Sequence, residues 1–294
     1  MVRTDLALEA KESVSENEAG LYGVNVEEDF NPETNIRVTK VIIDTKNAAK
    51  VLEKPMGHYI TIEAPNMVEP DEDYHREISR ALAIQLRTMM PEEELSVLVV
   101  GLGNRDVTAD ALGPHVVDNL FVTRHVVKTY GKAAFQNGAV NSVSCVEPGV
   151  TARTGMDAAE IIKGVVEETK PNLLVVIDAL AARSTKRLNR TIQITNTGIQ
   201  PGSGVGNHRS PLTKESMGIP VIAIGVPTVV DAATIVVDAL GQNPKSLGEE
   251  FCFGELSNMY VTSKDIDGVI KRLSFTISEG LNLALDPGEL SEVE

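Results

Sequence analysis

Val97-Leu98-Val99-Val100-Gly101-Leu102-Gly103-Asn104-Arg105-Asp106-Val107-Thr108-Ala109-Asp110-Ala111-Leu112-Gly113-Pro114 runs from a strand, through a tight turn, into a helix. The residues before Gly101 are short, β-branched and wholly apolar. That pattern suits a strand covered on both faces. Gly101 and Gly103 permit a turn where side chains would clash. Pro114 fits a first helical turn, where its missing N–H costs little. Asp110 is thereby expected near the carboxyl end of a central strand and the amino end of a helix. Sites of open α/β sheets collect there, and the helix dipole favours a charged carboxylate.

The same alternation continues in both directions. Ile36–Val41 and Tyr59–Glu63 read as half-exposed strands. Ile78, Leu82 and Leu86 recur at helical spacing between Asp73 and Met90. The helix after Pro114 is expected to run towards Tyr130, followed by a short strand within Ala139–Val146. Thr154-Gly155-Met156-Asp157 has capping-box spacing, with Asp in place of Glu. Leu173-Leu174-Val175-Val176-Ile177-Asp178 is a second apolar strand with a carboxylate at its tip. Thr191-Ile192-Gln193-Ile194 alternates, which suggests a place near the sheet edge. Pro220–Pro227 is a further apolar strand, with helices expected over Thr228–Leu240 and Ser263–Leu285. Strands alternating with helices predict an α/β fold, with a mostly parallel twisted sheet and helices on both faces. Residues 1–35, rich in Glu, Asp and Asn, are expected to form an acidic N-terminal arm. Residues 36–294 form a single α/β domain in this reading.

The formal net charge of −15 over 294 residues argues against a nucleic-acid or anionic-membrane surface. Two cysteines, Cys145 and Cys252, are too few for a disulfide framework. A reduced, cytoplasmic-type compartment is the simpler expectation. No apolar run approaches the roughly 20 residues that a membrane helix needs. The polar, acidic start of the chain does not read as a secretory signal.

Asp110 and Asp178 are the candidate pair for chemistry. Loops leaving neighbouring parallel strands on one edge can bring two carboxylates together, and two such groups can share a proton. One then serves as base toward water and the other as acid. Two other readings stay open: each Asp caps a helix or turn, or the pair holds a divalent metal. His208 lies in Gly202-Ser203-Gly204-Val205-Gly206-Asn207-His208-Arg209 and would be a third ligand or a solvated surface residue. No Gly-Lys-Ser/Thr follows these glycines, so a phosphate loop is disfavoured. Gly204 and Gly206 instead suit close approach of an extended peptide. Arg183 and Arg187 either anchor a substrate carboxylate or balance the acidic surface. Ser203 and Ser210 lack a nucleophile elbow, and Cys145 reads as a small hydrophobe.

Several of these stretches together resemble the germination protease family (peptidase family A25). They are Gly101-Leu-Gly-Asn104 with Thr108-Ala-Asp110-Ala-Leu-Gly-Pro114, Ile177-Asp178-Ala-Leu-Ala-Ala-Arg183, and Pro201-Gly-Ser-Gly-Val-Gly-Asn207 with Gly218–Asp231. The opening Arg3-Thr4-Asp5-Leu6-Ala7-Leu8-Glu9-Ala10 resembles it too. The likeness runs from residue 3 to about residue 240 and returns in the last helix. The resemblance implies a phosphorylase/hydrolase-like fold, similar to hydrogenase-maturation endopeptidases. It also implies an endopeptidase made as a zymogen, with no obligatory cofactor. On germination such an enzyme degrades the small acid-soluble proteins that coat spore DNA. Asp110 and Asp178 become the catalytic carboxylates, with Asn104 in the site loop. Family substrates are cut after an acidic residue, and Thr4-Asp5-Leu6-Ala7 looks like that setting. Self-processing is then expected between Asp5 and Leu6, releasing a propeptide of residues 1–5. Arg183, Arg187 or Arg209 would contact the acidic side chain. The resemblance also implies a homo-oligomer, tetrameric in the family, in the forespore or spore core. Two features depart from the family: a leader of only five residues, and a shorter chain after about Asp238. The alternatives are a metal-dependent maturation-type peptidase, holding its metal through Asp110, Asp178 and His208, and a non-catalytic peptide-binding module.

Overall fold

Two buried parallel strands, β4 (Ser96–Gly101) and β6 (Leu173–Ala182), form the centre of the sheet, in register from Val97 opposite Leu173 to Gly101 opposite Ile177. The computed structural model describes residues 22–92, 94–135, 140–182, 184–202, 209–240, 256 and 259–286. Parallel pairing extends to β5 (Ser142–Val146) beside β4 and to β8 (Val221–Asp231) beside β6. Beyond β8 the sheet turns antiparallel through β7 (Thr191–Thr195), β3 (Gly57–Glu63), β2 (Ile36–Ile43) and β1 (Val24–Asn31). The spatial order is β1-β2-β3-β7-β8-β6-β4-β5, with β9 (Tyr260–Val261) pairing the end of β8. The fold is thus α/β with helices on both faces. Its sheet is mixed, and the parallel part is the part that carries the two candidate aspartates.

One face is covered by α2 (Glu72–Arg87), α3 (Leu112–Asp118) and α9 (Ile266–Leu285). Ile78, Leu82, Val116, Leu273 and Ile277 close over Val97, Val99, Val175 and Ile177. Asp71 caps α2 by accepting the Tyr74 N–H, and Glu72 and Asp73 complement the helix dipole. The opposite face has two separate apolar clusters. In one, Ile162 of α6 (Ala158–Thr169) and Met217 of α7 (Lys214–Met217) pack on Leu98, Val100, Leu174 and Val176. In the other, Ala48 and Leu52 of α1 (Lys46–Leu52) pack on Val41, Ile43 and Tyr59. Between these clusters the same face is polar or small: Thr61, Gln193, Thr195, Ala223, Gly225 and Asp178.

Several expectations are corrected. β7 is interior rather than near the edge, because its polar alternation faces that strip instead of solvent. The helix after Pro114 stops at Asp118, and α4 (Arg124–Tyr130) begins separately. Thr123 interrupts them: its hydroxyl donates to the Asn141 carbonyl and its N–H to the Val143 carbonyl, tying the chain to β5. β8 continues to Asp231, because Thr228, Val229 and Val230 are β-branched and the strand end pairs β9. The helix expected from Thr228 therefore begins later, as α8 (Ala232–Leu240), with Asp231 accepting the Thr234 N–H. Val24–Asn31, assigned above to the acidic arm, is strand β1.

The capping box also shifts. Thr151–Thr154 forms its own short helix, α5, ending at Gly155 in the left-handed region. Asp157 then caps α6, accepting the Ala159 N–H, while Glu160 accepts the Asp157 N–H. The other Asp157 oxygen accepts the Ser210 N–H at 3.1 Å. Asp157→Ala should cost about 1–2 kcal/mol, the usual worth of such a cap. Thermal unfolding followed by circular dichroism should show a drop of roughly 2–4 °C per kcal/mol. An unchanged Tm would show that the cap contributes nothing.

Candidate active site

The end of β4 folds back on itself so closely that only glycines fit. A Cβ on Gly101 would overlap the Gly113 carbonyl, and one on Gly103 the Asp110 carbonyl. Gly103 also sits at φ +120°, a conformation closed to side chains. This fold-back delivers Asp110, the last residue of a 3-10 turn over Thr108–Asp110, to the tip of β4. Its Oδ2 accepts the Asn104 N–H at 2.8 Å. Burial pushes the Asp110 carboxyl above its ordinary range, while the Asn104 N–H and the Arg209 charge oppose this without overcoming it. The net effect is that Asp110 gives up its proton less readily than a solvated carboxyl does.

Asp178 lies one residue beyond Ile177, whose carbonyl accepts the Leu102 N–H at 2.8 Å. It is buried, its Oδ1 accepts its neighbour Ala179's N–H at 3.0 Å, and it registers beside Gly225. Its backbone thus abuts the turn that carries Asp110, and the 3-10 turn rests against both β6 and β8. Asp178 lines a cleft of about 270 Å³. Gln193, Thr195, Ala223 and Gly225 form part of its lining, with Tyr59, Gly198 and Thr213 around them. The polar strip of the sheet is therefore the base of a concave site level with the carboxyl end of β4. Asp178 is not the tip of its strand as expected, because apolar Ala179–Ala182 continue the pairing with β8, and Asp110 lies beside this cleft rather than in its lining.

Asn104, Asp110, Asp178 and Arg209 are the sequence-predicted residues that the structure describes near this edge. Arg209 acts electrostatically on both Asp110 and Asp157. At Asp157, burial raises the carboxyl, but the Ala159 and Ser210 hydrogen bonds and Arg209 together hold it low. Arg187 instead meets Glu63 on β3, at 3.4 Å. Asp5, Leu6, Arg183, Gly204, Gly206 and His208 lie outside the described residues. Among the described residues, no group of three His, Cys, Asp or Glu could hold a metal ion. None of their helices is long and apolar enough to cross a membrane. Cys145 is half-buried, and burial pushes its thiol up.

Sequence reasoning missed two groups. The first is the cleft base, Gln193 and Thr195, whose alternation was the available signal. The second is a pair of anchors on the Asp110 loop. Thr228 Oγ1 donates to the Ala109 carbonyl at 2.6 Å, and Arg105 reaches the carboxylates of Asp118 and Glu147.

A family model described as germination protease matches residues 2–255. A germination protease of Caldanaerobacter subterraneus subsp. tengcongensis is 46% identical, over 100% of this chain and 96% of its own. One from Clostridium perfringens strain SM101 is 43% identical, over 99% of this chain and 97% of its own. A Bacillus cytotoxicus germination protease is 37% identical, over 97% and 93%. Among solved structures, a NiFe-hydrogenase maturation protease of Thermococcus kodakarensis is 20% identical with a TM-score of 0.35, covering 67% of this chain and 98% of that one. Matched along nearly its whole length, across both Asp110 and Asp178, the chain belongs to the germination protease family and is an endopeptidase.

Proposed function

We propose that this endopeptidase starts the breakdown of small acid-soluble, DNA-coating spore proteins at germination, with Asp110 and Asp178 activating the attacking water. The observation that carries this reading is the fold-back at Gly103, which sets Asp110 against the tip of β4 beside the Asp178 backbone. Asp178, facing the cleft, takes a proton from water as the oxygen attacks the peptide carbonyl. Asp110 gives its proton to the carbonyl oxygen, and as the tetrahedral intermediate collapses the amine takes the proton that Asp178 accepted while the hydroxyl returns one to Asp110. The peptide C–N bond breaks, and the pair ends as it began, with one proton, on Asp110. Arg209, whose charge is felt at Asp110, is the cation assigned here to an acidic substrate side chain.

The same reading makes the chain a zymogen that removes residues 1–5 by cutting between Asp5 and Leu6, with residues beyond the arm forming one peptidase domain. It assigns the enzyme to the forespore and spore core, as a homo-oligomer. The test is incubation of the purified full chain with a Thr-Glu-Ile-Ala peptide and with a small acid-soluble spore protein. Mass spectrometry should find cleavage after the acidic residue in both, and a new N-terminus at Leu6 of the enzyme. Binding of either substrate without any cleavage would overturn the assignment.

A further inference from the structure

We propose that Arg105 is a positioning residue for the reaction, a clamp that holds the Asp110 loop in working geometry. The proposal rests on the reading of Asp110 as a proton-carrying group. Arg105 follows Asn104, the residue whose N–H binds the Asp110 carboxylate. Its guanidinium reaches away from Asp110 and grips three other points. Nε and Nη2 donate to Glu147 at 3.0 and 2.5 Å, just past the end of β5. Nη1 and Nη2 donate to the two Asp118 oxygens at 2.7 and 3.1 Å, at the end of α3. Nη2 also donates to the Pro114 carbonyl at 3.2 Å.

An isolated surface ion pair contributes little, but a forked guanidinium shared by two carboxylates is the exception. Asp118 and Glu147 hold Arg105 firmly charged, and Arg105 in turn keeps the Asp118 carboxyl low. The partners lie 13 and 42 residues away in sequence, so the clamp joins the loop to two separate elements. At the other end of the loop, the buried Thr228 hydroxyl holds the Ala109 carbonyl. The two anchors fix both ends of the segment that leads into Asp110. The guanidinium is occupied by Asp118, Glu147 and the Pro114 carbonyl, so its loss should act on the loop rather than on substrate binding.

The experiment compares Arg105→Ala with the parent full chain in peptide cleavage and in amide hydrogen exchange over residues 101–110. The clamp predicts a kcat lower by about 10²-fold, as expected for a misplaced catalytic group, with KM within twofold and faster exchange in the loop. Millimolar guanidinium, well below denaturing concentration, should restore part of kcat, and sodium chloride at equal ionic strength should not. Unchanged exchange over 101–110 would overturn the clamp. Faster exchange with unchanged kcat would overturn Arg105 as a positioning residue, whereas full activity in Asp110→Asn, measured alongside, would overturn the reading of Asp110 on which the proposal rests. Should Arg105→Ala fail to fold, Glu147→Gln and Arg105→Lys weaken one jaw or the fork alone, and the same two readouts decide.

Discussion

Asp110→Asn and Asp178→Asn should each lower the cleavage rate by about 10³-fold or more, within the range that general acid–base groups contribute. The double variant should be scarcely worse than either single one, because groups that act as a unit do not add. Stability should behave differently from activity at Asp110. A carboxyl whose folded pKa is raised opposes folding at pH values above its unfolded pKa, and that penalty disappears as pH falls below it. Asp110 is raised by burial. Asp110→Asn should therefore be at least as stable as the parent at neutral pH, with the difference closing below about pH 4. The amide oxygen can still accept the Asn104 N–H, so the loop keeps its bond. Denaturant melts at several pH values, beside peptide assays of the same preparations, check both halves. Full activity in either variant would remove that residue from the mechanism. The parent's rate should also depend on pH, since the pair works in one protonation state only.

The site was legible where its determinants are local. The apolar runs of β4 and β6, the glycines after Val100 and the carboxylate after Ile177 lie within a few residues of what they position. Periodicity and turn chemistry are therefore enough to place Asp110 after β4 and Asp178 on the neighbouring strand. The rest depends on chain segments that meet only in the folded state. Thr191, Gln193 and Thr195 alternate as an edge strand would, yet β7 is inserted between β3 and β8, and Gln193 and Thr195 line a cleft there. Alternation reports a polar face and says nothing about whether water or a substrate site meets it. Arg105 looks like one more charge in a polar turn, because Glu147 and Asp118 are brought to it by β5 and α3. The break between α3 and α4 has the same origin, since Thr123 bonds to the backbone of β5 and the residue before it.

Gly103→Ala should be the most damaging small substitution in the loop, and its comparison with Gly155→Ala isolates the reason. Both glycines have positive φ, +120° and +74°. Around Gly155 an added Cβ meets nothing within 4 Å, so the penalty is backbone strain alone. At Gly103 the Cβ lands on the Asp110 carbonyl and lies 3.3 Å from Asp110 Oδ1. The neighbouring backbone has little freedom to yield, because Thr228 holds Ala109 and Asp110 itself holds Asn104. Strain of about 1–3 kcal/mol then combines with overpacking of about 1–3 kcal/mol, a large part of a typical domain's stability. Urea midpoints should separate the two variants clearly. Single-turnover cleavage by the molecules that remain folded should fall about 10²-fold for Gly103→Ala, because Asp110 is displaced from its working position. The rate for Gly155→Ala should stay near that of the parent. Equal losses in both variants would mean that the close approach of Gly103 to Asp110 does not set the geometry of the site.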